Sequence, residues 1–148
     1  SFPNAQGSIN VVSINAIVYG CGGLLHYEHK KNGKNPTTCY KLDSNNLEVG
    51  WVQIHDMLEG VDHGCAVGFD GKMYIFGGRH EGKNYPTEGV DTVQIYHTSS
   101  GLWSVGSPML FGRGGTGVTV INGLFYLIGG ETNQKNDDWA TKNRVYPQ

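Results

Sequence analysis

Two short stretches hold the residue types that do chemistry at close range. "LHYEH" places His26, Glu28 and His29 together, and "GRHEG" places His80 between Arg79 and Glu81. Imidazole and carboxylate together form a donor set that zinc accepts. The spacing is not that of two ligands on one helix turn or one strand face, so exposed polar loops are the simpler reading and neither a metal nor a cofactor is expected. Cys21, Cys39 and Cys65 are too few and too widely spaced for the paired zinc pattern. Gly77-Gly78 in "MYIFGGRHEG" could cradle a phosphate, but a nucleotide loop needs more glycines, a Lys-Ser/Thr pair or a following helix, which this stretch lacks. Asn35-Pro36-Thr37 carries proline at the position that disqualifies a glycosylation acceptor.

The elements that position these residues are strands. The chain has 148 residues, enough for one domain with a core, and a formal net charge of −2. Apart from Lys30-Lys31 its basic residues are scattered, which argues against a nucleic-acid face. No apolar run is long enough for a membrane-spanning helix. The chain begins Ser-Phe-Pro without an initiator Met or a signal-like segment, the expectation being a processed chain or a piece of a longer one. Its 23 glycines sit beside aromatic and β-branched residues, which is not linker composition.

The spacing predicts strands at Ile9–Ile14, Ala16–Cys21, Thr37–Leu42, Trp51–Ile54, Gly64–Phe69, Met73–Phe76, Val90–Tyr96, Leu102–Val105, Gly117–Ile121, Leu124–Ile128 and Arg144–Tyr146. Asp70-Gly71 and Asn122-Gly123 are hairpin turns of the type I′ composition. No segment sustains a helical apolar period; the best, near Asp137–Lys142, is short and polar. The fold class is all-β.

The strands repeat. "YGCGG" (19–23), "YIFGG" (74–78) and "YLIGG" (126–130) share a strand ending in a glycine pair, the pairs lying 55 and 52 residues apart. Trp51 and Trp103 follow the first two pairs by 28 and 25 residues. Each unit therefore reads strand, tight turn, strand, Gly-Gly, variable loop, strand, turn, Trp-bearing strand. On these motifs the sequence resembles the kelch-repeat β-propeller family, most completely from "GKMYIFGG" through "VQIYHTSSGLW" to "PMLFGR". The resemblance implies a blade over 7–57, a second over 61–109 and an incomplete third over 113–148. It also makes Gly22, Gly23, Gly77, Gly78, Gly129, Gly130, Trp51 and Trp103 structural, with the Trp rings expected to cap the glycine pairs.

Propellers normally close with four to eight blades. Three are too few, so a segment of a larger propeller is the first expectation. Self-association, with three-blade halves completing a ring of six, is the alternative. Copper radical oxidases share the kelch propeller and cross-link a Cys to a Tyr that follows Arg-Gly; here "GRGGTG" puts Gly115 where that Tyr would stand, so such an oxidase is not expected. Cys65 then reads as a small residue of an inner strand. Cys21 and Cys39 fall on neighbouring strands and could bridge, or pack as two thiols; a bridge would favour an extracellular or other oxidising compartment.

The loops after each glycine pair and the loops entering the next blade share one face. They bring His26, His29, Asp62, His63, Arg79, His80, Arg113 and Glu131 to it, with Tyr27, Tyr85 and Trp139 as aromatic candidates. Kelch relatives bind partners there, so the resemblance implies a non-catalytic interaction or assembly module whose partner is another protein or further copies of the chain, without nucleic acid or membrane insertion. Charge pairing between blades is the structural alternative for Arg113 and Glu131. A carbohydrate-binding or enzymatic propeller using the same face is the alternative function.

Overall fold

Three residue pairs with positive φ turn the chain back on itself: Asn15-Ala16 (49° and 62°), Asp70-Gly71 (48° and 66°) and Asn122-Gly123 (51° and 77°). Two left-handed residues match the twist of the flanking strands, so each pair closes a two-residue hairpin. The first turn escapes sequence reading because alanine seldom takes this conformation. The computed structural model describes residues 1–4, 6–25, 35–80, 88–131 and the strand Arg144–Tyr146.

The first unit comprises β1 (Gln6–Gly7), β2 (Asn10–Ile14), β3 (Ile17–Cys21), β4 (Leu24–Leu25), β5 (Cys39–Asp43) and β6 (Val52–Ile54). Strands β2, β3, β5 and β6 form a four-stranded antiparallel sheet in that order, while β1 pairs with β4. The second unit repeats this with β7 (Cys65–Phe69), β8 (Lys72–Phe76), β9 (Arg79–His80), β10 (Glu88–Gly89), β11 (Val93–His97) and β12 (Leu102–Val105). Its sheet runs β7-β8-β11-β12, and β9 pairs with β10. The third sheet holds β13 (Gly114–Ile121), β14 (Leu124–Glu131) and β15 (Arg144–Tyr146). Every strand expected from the sequence is present, its ends within three residues of expectation, and the described residues contain no helix. Three such sheets are too few to close a ring.

The middle sheet is buried on both faces, and alternation along β8 shows how. Met73 and Ile75 pack with Tyr19, Cys21, Cys39, Met57, Val61 and Tyr96 between the first and second sheets. Tyr74 and Phe76 point the other way, packing with Cys65, Val93, Met109, Phe125 and Leu127. A continuous apolar run is what a strand with two buried faces requires. Burying one large side chain such as Phe76 contributes roughly 1.5–3 kcal/mol.

The glycine pairs behave differently from the sequence expectation in two respects. They do not end the hairpin: beyond them the two chains meet again in unchanged register, as Gly7↔Leu24 in the first unit, Asp62↔Arg79 in the second and Gly114↔Glu131 in the third. Nor do the Trp rings cap them. Trp51 packs edge-on against Phe2 at 5.0 Å, and Trp103 lies 5.2 Å from Tyr96 and donates Nε1 to the His55 carbonyl at 3.0 Å. The space over the first two pairs is taken by the linker to the next sheet. Gly22 N–H bonds Thr38 O (3.1 Å) within its sheet and Gly23 N–H bonds Val61 O (2.9 Å) in the linker; Gly77 and Gly78 repeat this with Thr92 O and Arg113 O, both at 2.9 Å. A backbone crossing this close leaves no room for a ring, and Met57 and Met109 enter beside it.

Cys21 and Cys39 are direct partners on β3 and β5, both fully buried, and their sulfurs are joined in a disulfide.

Candidate functional site

The site grows from the turn that enters each inner strand. Ser8 and His63, just before β2 and β7, and Gly115, near the start of β13, occupy equivalent places, and all three take positive φ: 49°, 53° and 69°. Backbone bonds link them in series, His63 N–H to Ser8 O at 3.4 Å and Gly115 N–H to His63 O at 2.7 Å. The chain thus presents one left-handed residue per unit along a single line, with His63 in the middle.

Asp62, one residue earlier, is 2% exposed. A buried carboxylate requires donors, and three residues supply them. Asn35 Nδ2 donates to Oδ2 at 3.0 Å, Arg79 Nε approaches Oδ1 at 3.4 Å, and His63 Nδ1 lies against Oδ1. Asn35 Nδ2 also donates to the Arg79 carbonyl at 2.8 Å, fixing the backbone that the Asp62↔Arg79 bridge already holds through N–H···O bonds of 3.2 and 2.7 Å. Arg79 Nη2 sits 2.7 Å from the same His63 Nδ1. A neutral ring meets one of these demands at a time: Nδ1–H donates to Asp62, or its lone pair accepts from Arg79.

His63 Nε2 lies 3.3 Å from Ser8 Oγ, so carboxylate, imidazole and hydroxyl stand in the order of a hydrolytic triad. The order alone does not make a nucleophile. The Arg79 guanidinium competes with Asp62 for Nδ1, so the carboxylate does not hold the ring in the single orientation and tautomer a triad needs. The Cys65 thiol is no better prepared: it is buried, burial pushes its pKa up, and it accepts a 2.8 Å hydrogen bond from Thr116 Oγ1.

A second pair lies on the same loops. His80 Nε2 is 2.7 Å from Glu59 Oε1, and Thr92 Oγ1 donates to the other carboxylate oxygen at 3.1 Å. Buried Gln94 holds the Glu59 backbone at both ends, accepting from its N–H at 3.0 Å and donating to its carbonyl at 2.9 Å. Arg79 Nη1 reaches toward Glu131 of the third unit at 4.0 Å.

The structure therefore gathers Asp62, His63, Arg79 and, at longer range, Glu131, with His80 alongside Glu59. It separates them by exposure. Asp62 and Arg113, 2% and 3% exposed, are internal, so neither presents a side chain to a partner as the sequence reading expected. Arg113 Nη1 donates to Gly129 O at 2.9 Å within its own unit. His63, Arg79, His80 and Glu131 keep exposed surface. His26, His29, Tyr27, Tyr85 and Trp139 lie outside the described residues. Ser8, Asn35, Glu59 and Gln94 were not singled out from the sequence. Ser8 could have been, by aligning the three units on their hairpin turns; the other three are polar residues whose role appears only when linker and sheet meet.

Asp62→Ala removes the acceptor shared by Asn35, Arg79 and His63. The expected cost is about 1–3 kcal/mol, because Arg79 is partly exposed and can turn to water. Chemical denaturation checks this, and a change within a few tenths would remove Asp62 as the organiser of the site.

Comparison with known proteins matches the family model for the Kelch motif to residues 63–110. The match falls on the second unit, which holds the complete strand, Gly-Gly and Trp pattern. Residues 63–110 form a kelch repeat, and the first and third units share its strand and Gly-Gly pattern. Among curated proteins, the kelch chain is 27% identical over 123 residues to Kelch-like protein 40a of Danio rerio, covering 80% of this chain and 19% of that protein. It is 26% identical over 124 residues to the N-acetylneuraminate epimerase of Yersinia enterocolitica, covering 80% of this chain and 32% of the relative. The solved structure of YjhT superposes with a TM-score of 0.71 at 23% identity, over 88% of this chain and 36% of that one. The kelch chain thus spans about a fifth of the length of the first of these relatives and about a third of the other two.

Proposed function

We propose that this kelch chain is a non-catalytic interaction module that engages a protein partner through the face carrying His63, Arg79, His80 and Glu131. The observation that carries this is the division of labour in the charged cluster. Its buried members, Asp62, Asn35 and Gln94, fix the loop backbones, and its exposed members stand on that fixed base. Side chains ordered before binding lose less entropy on association, which is how a polar loop face becomes a selective contact surface. The units over 7–57, 61–109 and 113–148 serve as blades of a larger ring that presents this face. The Cys21–Cys39 bridge supports an oxidising, extracellular-type compartment.

The test is quantitative capture with the unaltered chain and with the pair Arg79→Ala and His80→Ala, both confirmed folded by near-ultraviolet circular dichroism. A specific partner should bind the double variant at least about tenfold more weakly. If every captured protein binds both forms equally, this face is not the contact.

A sugar-acid site on the same face is the second reading. One relative is named for acting on N-acetylneuraminate, and a guanidinium such as that of Arg79 is the group that recognises a carboxylate. Titration with N-acetylneuraminate separates the two: saturable binding lost in Arg79→Ala favours the sugar, and its absence favours the protein partner.

A further inference from the structure

His63 Nδ1 is within bonding reach of two groups of opposite charge. Asp62 Oδ1 lies against it, and Arg79 Nη2 is 2.7 Å away. The nitrogen serves the carboxylate only when it carries a proton, and the guanidinium only when it does not. The rest of the cluster decides which contact goes with which protonation state. In the neutral ring Nδ1 accepts from Arg79 Nη2, and the proton stands on Nε2, which donates to Ser8 Oγ at 3.3 Å. Asp62 is still served in that state, by Asn35 Nδ2 at 3.0 Å and Arg79 Nε at 3.4 Å. In the protonated ring Nδ1–H turns to Asp62, so Arg79 loses an acceptor and faces a second cation.

Arg79 has a second place to go. Its stem crosses onto the third unit over Gly114, where an added Cβ would meet Arg79 Cγ at 2.7 Å. Gly114 is the strand partner of Glu131, and Arg79 Nη1 stands 4.0 Å from Glu131 Oε2, the outer limit of an ion pair. Side-chain rotation closes that gap while the Asp62↔Arg79 bridge holds the backbone. The other described charges nearby are engaged elsewhere: Glu59 with His80 at 2.7 Å, and the internal Arg113 with Gly129 O at 2.9 Å. The His63 side chain is 35% exposed, so water reaches the ring.

We propose that His63 is a proton-operated switch: the neutral ring holds Arg79 over Asp62, and protonation releases Arg79 to Glu131 and so ties the second unit to the third. Histidine ordinarily changes charge between about pH 5 and pH 8. The face then presents different groups on the two sides of the transition. On the alkaline side these are a neutral imidazole, a guanidinium tied to it and a separate Glu131 carboxylate. On the acid side they are an imidazolium and an Arg79–Glu131 pair. The device lies in the residues named and operates whichever ligand the face takes.

The experiment is nitrogen NMR of the unaltered protein, isotope-labelled on histidine and arginine, between about pH 5 and pH 8. The neutral His63 ring should show the Nε2–H tautomer, and the Arg79 side-chain signals should shift with the same midpoint as the ring. These two readings need no substitution, so they decide the matter even if a variant fails to fold. By linkage, a carboxylate that receives Arg79 favours the proton that releases it. Glu131→Gln should therefore lower the proton affinity of His63 about twofold or more, the scale of a part-exposed ion pair. In an Arg79→Gln background the same substitution should act much more weakly, which separates the switch from the mere loss of a nearby charge. His80→Gln, which removes the other histidine of the cluster, should leave the Arg79 transition in place. The proposal is overturned by a His63 ring that does not titrate in this range, by a neutral Nδ1–H tautomer, or by Arg79 signals that ignore the ring or follow His80. It is equally overturned by a Glu131→Gln shift that is absent, or undiminished in the Arg79→Gln background.

Discussion

Gly77→Ala is expected to destabilise the chain by about 3 kcal/mol or more, the loss associated with backbone strain and overpacking combined. Gly77 has φ of 58°, which alone costs an L-residue roughly 1–2 kcal/mol. The larger part is contact. A methyl group there runs into the Arg113 carbonyl, lies 2.6 Å from Met109 Cε and 3.0 Å from Val90 O. Two of these are backbone atoms of the linker and the adjoining strand approach, so relief requires the third sheet to move away from the second. Gly71→Ala is the control: its φ is 66°, but the nearest atom to an added Cβ is Thr98 Oγ1 at 3.8 Å. It should lose only the conformational share, about 1–2 kcal/mol. Thermal and urea unfolding of both variants measure the difference; equal losses would mean that the linker crossing is not what the glycine serves.

Reduction of Cys21–Cys39 is expected to cost about 3 kcal/mol, since the bridge closes a loop with a sequence separation of 18. Both cysteines are fully buried, so reductant should act slowly on the native chain and quickly in urea. Thiol counting in denaturant gives a direct check. One titratable thiol, from Cys65, is expected without reductant and three with it. Three in both conditions, in protein purified without reductant, would falsify the bridge and with it the argument for an oxidising compartment.

The repeat was legible because the fold depends on residues with few substitutes. Asp70-Gly71 and Asn122-Gly123 mark hairpins that require left-handed backbone, and the glycine pairs mark the places where another backbone crosses. Strands buried on both faces leave apolar runs that announce themselves. The purpose of the glycine pairs was not legible, because their partner is main chain. The linker around Val61 or Arg113 carries no common side chain to signal its approach, so the Trp rings were a natural but wrong choice. The short β1–β4 pairing was missed for a related reason: two residues on either side of a turn give no period.

The candidate site was legible by type and not by exposure. Spacing brought Asp62, His63, Arg79 and His80 to one face, but nothing in the sequence separated the internal Asp62 and Arg113 from the exposed members. That distinction depends on Asn35, which reaches Asp62 across 27 residues of chain, and on Gln94, which meets Glu59 across 35. Contacts at that range leave no local pattern.

The bridges Gly7↔Leu24, Asp62↔Arg79 and Gly114↔Glu131 fasten each hairpin again just before its long loop departs. A loop tied at its foot transmits little of its own length or composition to the sheet below. The first two units differ by three residues between glycine pair and tryptophan, yet their sheets pair in the same order. Each loop is in effect a removable cassette, and foreign binding sequences could be grafted above Leu24, Arg79 or Glu131 with the blades left as they are.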